Sequence, residues 1–409
     1  MPTNPREISI VDYDYPLPDE RIAKFPLAQR DQSKLLVYRN GDISESQFFH
    51  LPELLHDGAM LLFNNTKVIH ARLFFRKPTG STIEVFCLEP WQQPVATAFE
   101  EREHCSWLCF IGNNKKWKEG FLEQEFAAYG GKHLLRASRR EAVGNAWLVD
   151  FNWTGGISFA EVIEHAGVIP LPPYLHRDAE ESDKRRYQTV YARYDGSVAA
   201  PTAGLHFTDS LIEKLNGNGF RTEYITLHVG AGTFKPVSTD TVGEHEMHVE
   251  KVQISRKNIE NILDSHQDGR AIIAVGTTTV RTIESVYWFG VGLAHTPMPE
   301  KMHVKQWEPY RETDELSLED SYRNVLRWLE HNETDLLDGD TQLLIAPGYR
   351  YHVIDGLITN FHQPKSTLLL LVSALIGDDW KRCYQYALEH GFRFLSYGDS
   401  CLFLKTQCR

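Results

Sequence analysis

The sequence has little with which to cross a membrane, hold a metal or coat a polyanion. Its longest apolar run, LLLLVSALI at 368–376, is far short of the roughly 20 residues a spanning helix needs. Six cysteines stand at 87, 105, 109, 383, 401 and 408, with no CxxC and no Cys/His grouping of zinc-finger spacing, which predicts reduced thiols and no metal. The start, MPTNPREISI, lacks the apolar core of a secretory signal, so a soluble cytoplasmic protein is expected. GxGxxG, the Walker P-loop, the GxSxG elbow and HExxH are all missing, which removes the commonest dinucleotide, nucleoside triphosphate, hydrolase and zinc-protease readings. There is no internal repeat and no low-complexity tract. A formal net charge of -12 disfavours a histone-like binder, although a local basic patch can still contact a polyanion.

What is present is ordinary globular material, with 42% apolar and 24% charged residues over 409 positions. That length suggests two or three domains. MLLF (60–63) reads as a buried strand with NNTKV as the turn after it. From about 70 to 152, short alternating runs such as STIEVFCLE and HCSWLCFIG are separated by GNNKK, YGGK and VGNA, the pattern of a small β-barrel or sandwich. After Gly156 the texture becomes mixed. Helices are predicted over 157–167, 210–220 and 257–269, strands over 221–229 and 271–276, and a further helix from TTTVRTIESV. Strand–helix alternation favours a three-layer α/β domain. Residues 1–69 and 153–409 would form it, and 70–152 would interrupt it as an inserted β-barrel domain.

Charge divides the chain the same way. The 70–152 stretch carries about +1 and the remainder about -13. Basic residues cluster there at Arg72, Arg76 and Lys77, at Lys115, Lys116 and Lys118, and at Arg136, Arg139 and Arg140, as either a solvated surface or a polyanion contact. Residues 286–341 hold 12 acidic against 5 basic side chains and read as a solvated, acidic accessory arm with one apolar helical stripe, Leu318, Tyr322, Leu326 and Leu329.

Four segments carry polar turns at strand ends, where an α/β site is assembled. AAPTAGLHF (199–207) sets His206 beside a small-residue turn. LHVGAGTF (227–234) turns sharply at Gly230 and Gly232. AVGTTTVRTIES (274–285) leads hydroxyls and Arg281 into a helix whose N-terminus suits a carboxylate. ITNFHQPKSTL (358–368) brings Asn360 and His362 before a proline. His245, His248 and Glu250 in EHEMHVE invite a metal reading, but the two-residue gap between the histidines is not the helical i, i+4 pair.

LFNNTKVIHARL (62–73), LPPYLHR (171–177), YQTVYA (187–192), AAPTAGLHF, TLHVGAGTF, HxMHxE (245–250), VGTTTVRTIES, TNFHQPKSTL and YGD (397–399) occur in this order. Together they resemble the QueA family, the S-adenosylmethionine:tRNA ribosyltransferase-isomerases of queuosine biosynthesis. The resemblance runs from about residue 11 to the C-terminus apart from the acidic segment. It implies an α/β domain with an inserted β-barrel, and a definite reaction. The ribosyl portion of S-adenosylmethionine passes to 7-aminomethyl-7-deazaguanine at the tRNA wobble position, giving epoxyqueuosine, adenine and methionine. S-Adenosylmethionine is the donor substrate, with no further cofactor and no metal. The partner implied is the tRNA anticodon stem-loop, and a monomer is expected. A paralogue with another acceptor and a non-catalytic RNA-binding module are the alternatives.

Such a reaction needs a base at the carbon beside the sulfonium and a donor for the departing adenine, which favours histidine or a tuned carboxylate. The candidates are His206, His228, His248, Glu250 and His362, unranked. Thr202, Gly204, Gly230, Gly232, Thr233, Thr277, Thr278, Thr279, Arg281 and Asn360 are expected to bind the donor, with Arg281 meeting its carboxylate. Arg72, Lys115, Lys116, Lys118 and Arg177 are expected to contact tRNA.

Overall fold

The structure is a computed structural model that describes residues 4–230, 237–295, 298–311 and 315–405. It is a mixed α/β protein built on two large sheets. The first has ten strands, in the order Met302–Val304, Leu336–Thr341, Glu250–Ser255, Arg221–His228, Met60–Asn64, Ile272–Val275, Gly356–Asn360, Ser400–Leu404, Lys34–Arg39 and Asp42–Gln47. Its centre is parallel: Met60–Asn64 lies between Arg221–His228 and Ile272–Val275, and Gly356–Asn360 follows. Chain from both ends therefore meets in one sheet.

Alternation explains why both faces of this sheet are covered. Met60, Leu62, Ile272 and Ala274 join one apolar cluster, with the helices Arg256–Gln267, Thr277–Gly292 and Thr367–Ile376. Leu61, Phe63, Ile273 and Val275 join another, with Leu211 and Leu215 of Asp209–Gly217. The helix starts are written locally. Ser255 and Asn258 form a reciprocal capping box, and Thr208 accepts the Leu211 N–H at 3.2 Å.

The second sheet has seven antiparallel strands, in the order Gly167–Val168, Arg72–Arg76, Thr82–Pro90, His104–Gly112, Ala146–Trp153, Gly131–Val143 and Phe121–Ala128. It curls far enough that Arg72–Arg76 touches Phe121–Ala128. The helix Phe159–Ala166 packs within the curl, with Phe159 against Trp107, Phe151 and Trp153. Its apolar cluster is separate from those of the ten-stranded sheet.

Two expectations are corrected. Within NNTKV, Thr66–Val68 is a short strand parallel to Tyr194–Ser197. The acidic 286–341 segment is not an accessory arm. It supplies the outermost strand Met302–Val304 and the helix Leu318–His331, whose Tyr322, Val325 and Leu329 are buried in the main core. That helix is tied to Thr277–Gly292 by Ser321 Oγ donating to Tyr287 O (2.6 Å) and Asn324 Nδ2 donating to Gly290 O (3.1 Å). Its acidic residues occupy the outer face, while the apolar stripe decides where it goes.

Candidate functional site

A cleft opens at the carboxyl ends of Ile272–Val275 and Gly356–Asn360, the usual place for ligands in an open α/β sheet. Its walls come from three of the four segments singled out by their polar turns, 199–203, 276–281 and 359–366, with Val229 contributed by the fourth and Tyr187 from YQTVYA. Gly276 makes the first wall: at φ +91° it turns the chain from strand into the helix Thr277–Gly292, so that Thr277 and Thr278 face the cleft at the helix N-terminus.

Arg281 lies one turn further along and is 5% exposed. Nη1 donates to Glu250 Oε2 at 2.5 Å and Nε donates to Leu343 O at 3.1 Å. Nη2 has no partner among the described residues. Burial pushes the Glu250 carboxyl up, and the adjacent guanidinium opposes that. Glu250 therefore holds Arg281, which lines the cleft with one unengaged nitrogen.

Asn360 and His362 form the facing wall. His362 Nε2 and Thr359 Oγ1 are 2.9 Å apart, and no described residue bonds Nδ1. The backbone of His362 is fixed on both sides: its N–H donates to Tyr384 (3.0 Å), and the Tyr15 hydroxyl donates to its carbonyl (2.5 Å). Burial lowers the imidazole to about 3.

His206 does not line this cleft. It is 4% exposed, lies 5.0 Å from the Phe48 ring between centroids, and is lowered to about 3 by burial and by Arg393. Nδ1 is 2.7 Å from Ser33 Oγ, and Nε2 is 3.1 Å from Asn360 Nδ2. Asn360 Nδ2 also donates to Leu395 O at 3.1 Å. Both amide hydrogens are thereby engaged, which fixes Nε2 as acceptor and Nδ1–H as donor to Ser33. The Asn360 carbonyl oxygen, buried and without a partner among the described residues, is left as the group to offer a ligand.

The other expected residues separate. Thr202 lines the cleft, but Gly204 does not: a Cβ there would lie 1.9 Å from the Tyr191 hydroxyl, so close packing explains the glycine. Thr279 donates back to Val275 O at 2.7 Å and is fully buried, in a scaffold role. Gly230 is at the end of Arg221–His228 and is not among the cleft residues; Gly232 and Thr233 lie outside the described residues. His228 bonds Thr66 Oγ1 (3.0 Å) through Nδ1, packs on Gly196 and is lowered to about 4 by burial, away from the cleft. His248 is exposed. The five proton-transfer candidates thus do not converge, and only His362 lines the cleft. Glu250 is committed to Arg281, and among the described residues no cluster of three or more metal-ligating side chains occurs.

The expected RNA contacts also divide. Lys115, Lys116 and Lys118 surround a shallow hollow with Lys77. Arg72 is paired with Glu84 at 3.4 Å, and Arg177 is bound at both Nη atoms by Asp183 (2.7 and 2.8 Å), so their charge is already answered. Ser33, Tyr187 and the Tyr15 clamp were missed. Only Tyr187 had a sequence signal, in YQTVYA; the other two join the site from more than 170 residues away. A wider hollow of about 770 Å³ beside Arg6, Trp307 and Arg311 contains none of the expected residues.

Compared with known proteins, residues 10–403 match the family model described as queuosine biosynthesis protein. The chain is 38% identical over 401 residues to the S-adenosylmethionine:tRNA ribosyltransferase-isomerase of Halothermothrix orenii, covering 97% of this chain and 100% of that protein. It is 39% identical over 394 residues to the protein of the same name from Aromatoleum aromaticum, covering 96% of each. A crystal structure of S-adenosylmethionine tRNA ribosyltransferase from Thermotoga maritima is 26% identical, covers 96% of this chain and 100% of its own, and superposes with a TM-score of 0.46.

Proposed function

The chain belongs to the queuosine biosynthesis protein family, and we propose that the strand-end cleft is the catalytic site of its S-adenosylmethionine:tRNA ribosyltransferase-isomerase reaction. The enzyme transfers the ribosyl moiety of S-adenosylmethionine to tRNA and isomerises it, releasing adenine and methionine. The acceptor is 7-aminomethyl-7-deazaguanine at the wobble position, and the product is epoxyqueuosine. The unengaged Nη2 of Arg281 and the helix N-terminus at Thr277 and Thr278 suit the methionine carboxylate. The Asn360 carbonyl accepts from the donor's nucleoside. The enclosed space, about 110 Å³, is below the ~300–1,000 Å³ of typical ligand pockets, so admitting the donor requires the walls to part.

His362 is the proton-transfer residue in this reading. The observation that carries the assignment is its ring lining the cleft with Nε2 engaged by Thr359 and Nδ1 without a partner among the described residues. It takes the proton from the ribose 5′ carbon beside the sulfonium. Adenine then leaves, the aminomethyl nitrogen attacks, and a ribose hydroxyl closes the epoxide as methionine departs. Opening of the cleft hydrates the imidazole and lifts the burial that holds it near 3, bringing it toward the range where a base works at neutral pH. His206 is a positioning residue that acts through Asn360. The seven-stranded sheet is read as an inserted barrel domain over about 70–152, and the enzyme as a cytoplasmic monomer.

Incubation with S-adenosylmethionine and the modified tRNA should release adenine and methionine in equal amounts, and only when that tRNA is present. S-Adenosylhomocysteine as product would mean methyl transfer and overturn the reaction. His362→Gln should lower kcat by about 10²–10⁴-fold with donor affinity kept. His206→Gln should raise KM more than it lowers kcat. The reverse pattern would return proton transfer to His206.

A further inference from the structure

The cleft does not end at Asn360. It shares Ser396 with a narrow crevice lined by Arg30, Ser33, Arg186 and His206. That crevice shares Arg30 and Arg186 with an outer hollow of about 590 Å³, which Arg185, Gln188 and Thr189 complete. The cleft and the outer hollow are thus neighbours, each sharing lining residues with the narrow crevice between them.

These guanidinium groups differ from most of the protein's cations. Among the described residues, Arg30, Arg185 and Arg186 form no ion pair. Their neighbours Arg177 and Lys184 do, with Asp183 and Glu181. Among the described residues, Asp209 is the only carboxylate lining the outer hollow. Two of the three side chains are fixed by main-chain carbonyls: Arg30 donates to Gln188 O (3.0 Å), and Arg186 donates to Ala28 O (3.1 Å) and to Leu27 O. Arg30 is shifted downward by burial and by its cationic neighbours Arg186 and Arg185, with Asp209 opposing the shift only in part, so the cluster keeps an excess of positive charge. Independently, Thr189 lines the same hollow, is 5% exposed, and its buried hydroxyl has no partner among the described residues. A buried hydroxyl without a partner beside clustered guanidinium groups suits an anion, since an isolated buried polar group is disfavoured.

We propose that Arg30, Arg185 and Arg186, with Thr189, bind backbone phosphates of the tRNA next to the nucleotide that enters the cleft. This rests on the proposed function and adds where the RNA is gripped. A chain of net charge -12 needs such a local site to hold a polyanion at the reactive groups. Fixed guanidinium forks suit phosphate better than mobile lysines do.

The test is equilibrium binding of unmodified tRNA transcript across a salt series, with calorimetry of S-adenosylmethionine binding alongside. Arg185→Gln/Arg186→Gln should weaken tRNA binding at least tenfold and make the slope of log K against log salt shallower by about 1.5, the loss of two phosphate contacts. Donor affinity should remain. Should the double variant fail to fold, the exposed Arg185→Gln alone should lower the slope by about 0.7–0.9. An unchanged slope in Arg185→Gln overturns the proposal. So does inorganic phosphate displacing tRNA at constant ionic strength, which would make this a site for the free ion. Because binding is read with unmodified tRNA, a failure of the catalytic reading appears separately, as a wild-type enzyme that binds tRNA and releases no adenine.

Discussion

Arg281, Asn360 and Tyr187 each bury a polar atom that no described residue satisfies, and all three line the cleft of the ten-stranded sheet. The seven-stranded sheet has its own exceptions, Trp107 Nε1 and Gln124 Oε1, but they belong to two different strands. Between those strands the space is filled by aromatic packing around Phe159. Its charges lie outside, some of them paired across strands, as Arg136 is with Glu123 at 2.7 Å and Arg140 with Asp150 at 3.7 Å. A buried polar group without a partner costs about 1–3 kcal/mol. Where several such groups converge on one hollow, a ligand that completes them is the economical explanation; where they are dispersed, none is required. By that measure chemistry belongs to one sheet, and the other is a packed body with a charged exterior.

The largest test of this contrast is the Glu250–Arg281 pair. Arg281→Ala should destabilise the protein by about 3–5 kcal/mol, because it leaves a buried carboxylate without its cation. Glu250→Gln/Arg281→Met should restore most of that in urea unfolding while donor binding stays lost in calorimetry. Retained donor affinity in the double variant would break the comparison, since the unengaged guanidinium nitrogen would then serve no ligand.

Acid comes next. His206 and His362 are lowered to about 3 and His228 to about 4, all by burial. The unfolded chain takes up these protons near 6.5 and the folded chain does not. Their stabilising contribution is therefore complete above about pH 6.5, falls as pH drops toward 4 and levels off below about 3. Between pH 7 and 5 the loss should be about 1–2 kcal/mol per histidine. Hydrogen exchange at pH 5 should show the strands around the cleft losing protection before the seven-stranded sheet. The opposite order would place the acid-sensitive groups elsewhere.

The smallest effect is expected on the surface of the seven-stranded sheet. Reversing Lys115, Lys116 and Lys118 to Glu should weaken tRNA binding by about threefold and flatten its salt dependence slightly, with donor affinity unchanged. Loss of the whole salt dependence in this variant would make that surface the principal RNA contact and erase the difference between the two sheets.

Much of the scaffold was legible because its signals are local. Met60–Asn64, Arg221–His228, Ile272–Val275 and the helices Asp209–Gly217 and Arg256–Gln267 stand close to where apolar periodicity, caps and glycines put them. The acidic segment was misjudged because twelve acidic side chains dominate its composition. A helix is placed by its buried stripe, however, and Tyr322, Val325 and Leu329 carry Leu318–His331 into the core. Among the site residues, the cleft threonines, Arg281, Asn360 and His362 were readable as polar turns at strand ends. The rank of the histidines was not, because each lies in a motif that looks equally chemical.

The sequence by itself determined the family, the alternating elements and the segments that meet at the strand ends, because these depend on residue type and spacing along the chain. Only the tertiary structure decided that His206 sits behind Asn360, that Glu250 is committed to Arg281, that Arg177 is neutralised and that Arg30, Arg185 and Arg186 are not. Whether a side chain is free to act depends on which partner reaches it first. That partner comes from wherever the fold brings the chain, as Ser33 comes to His206 across 173 residues and Tyr15 to His362 across 347.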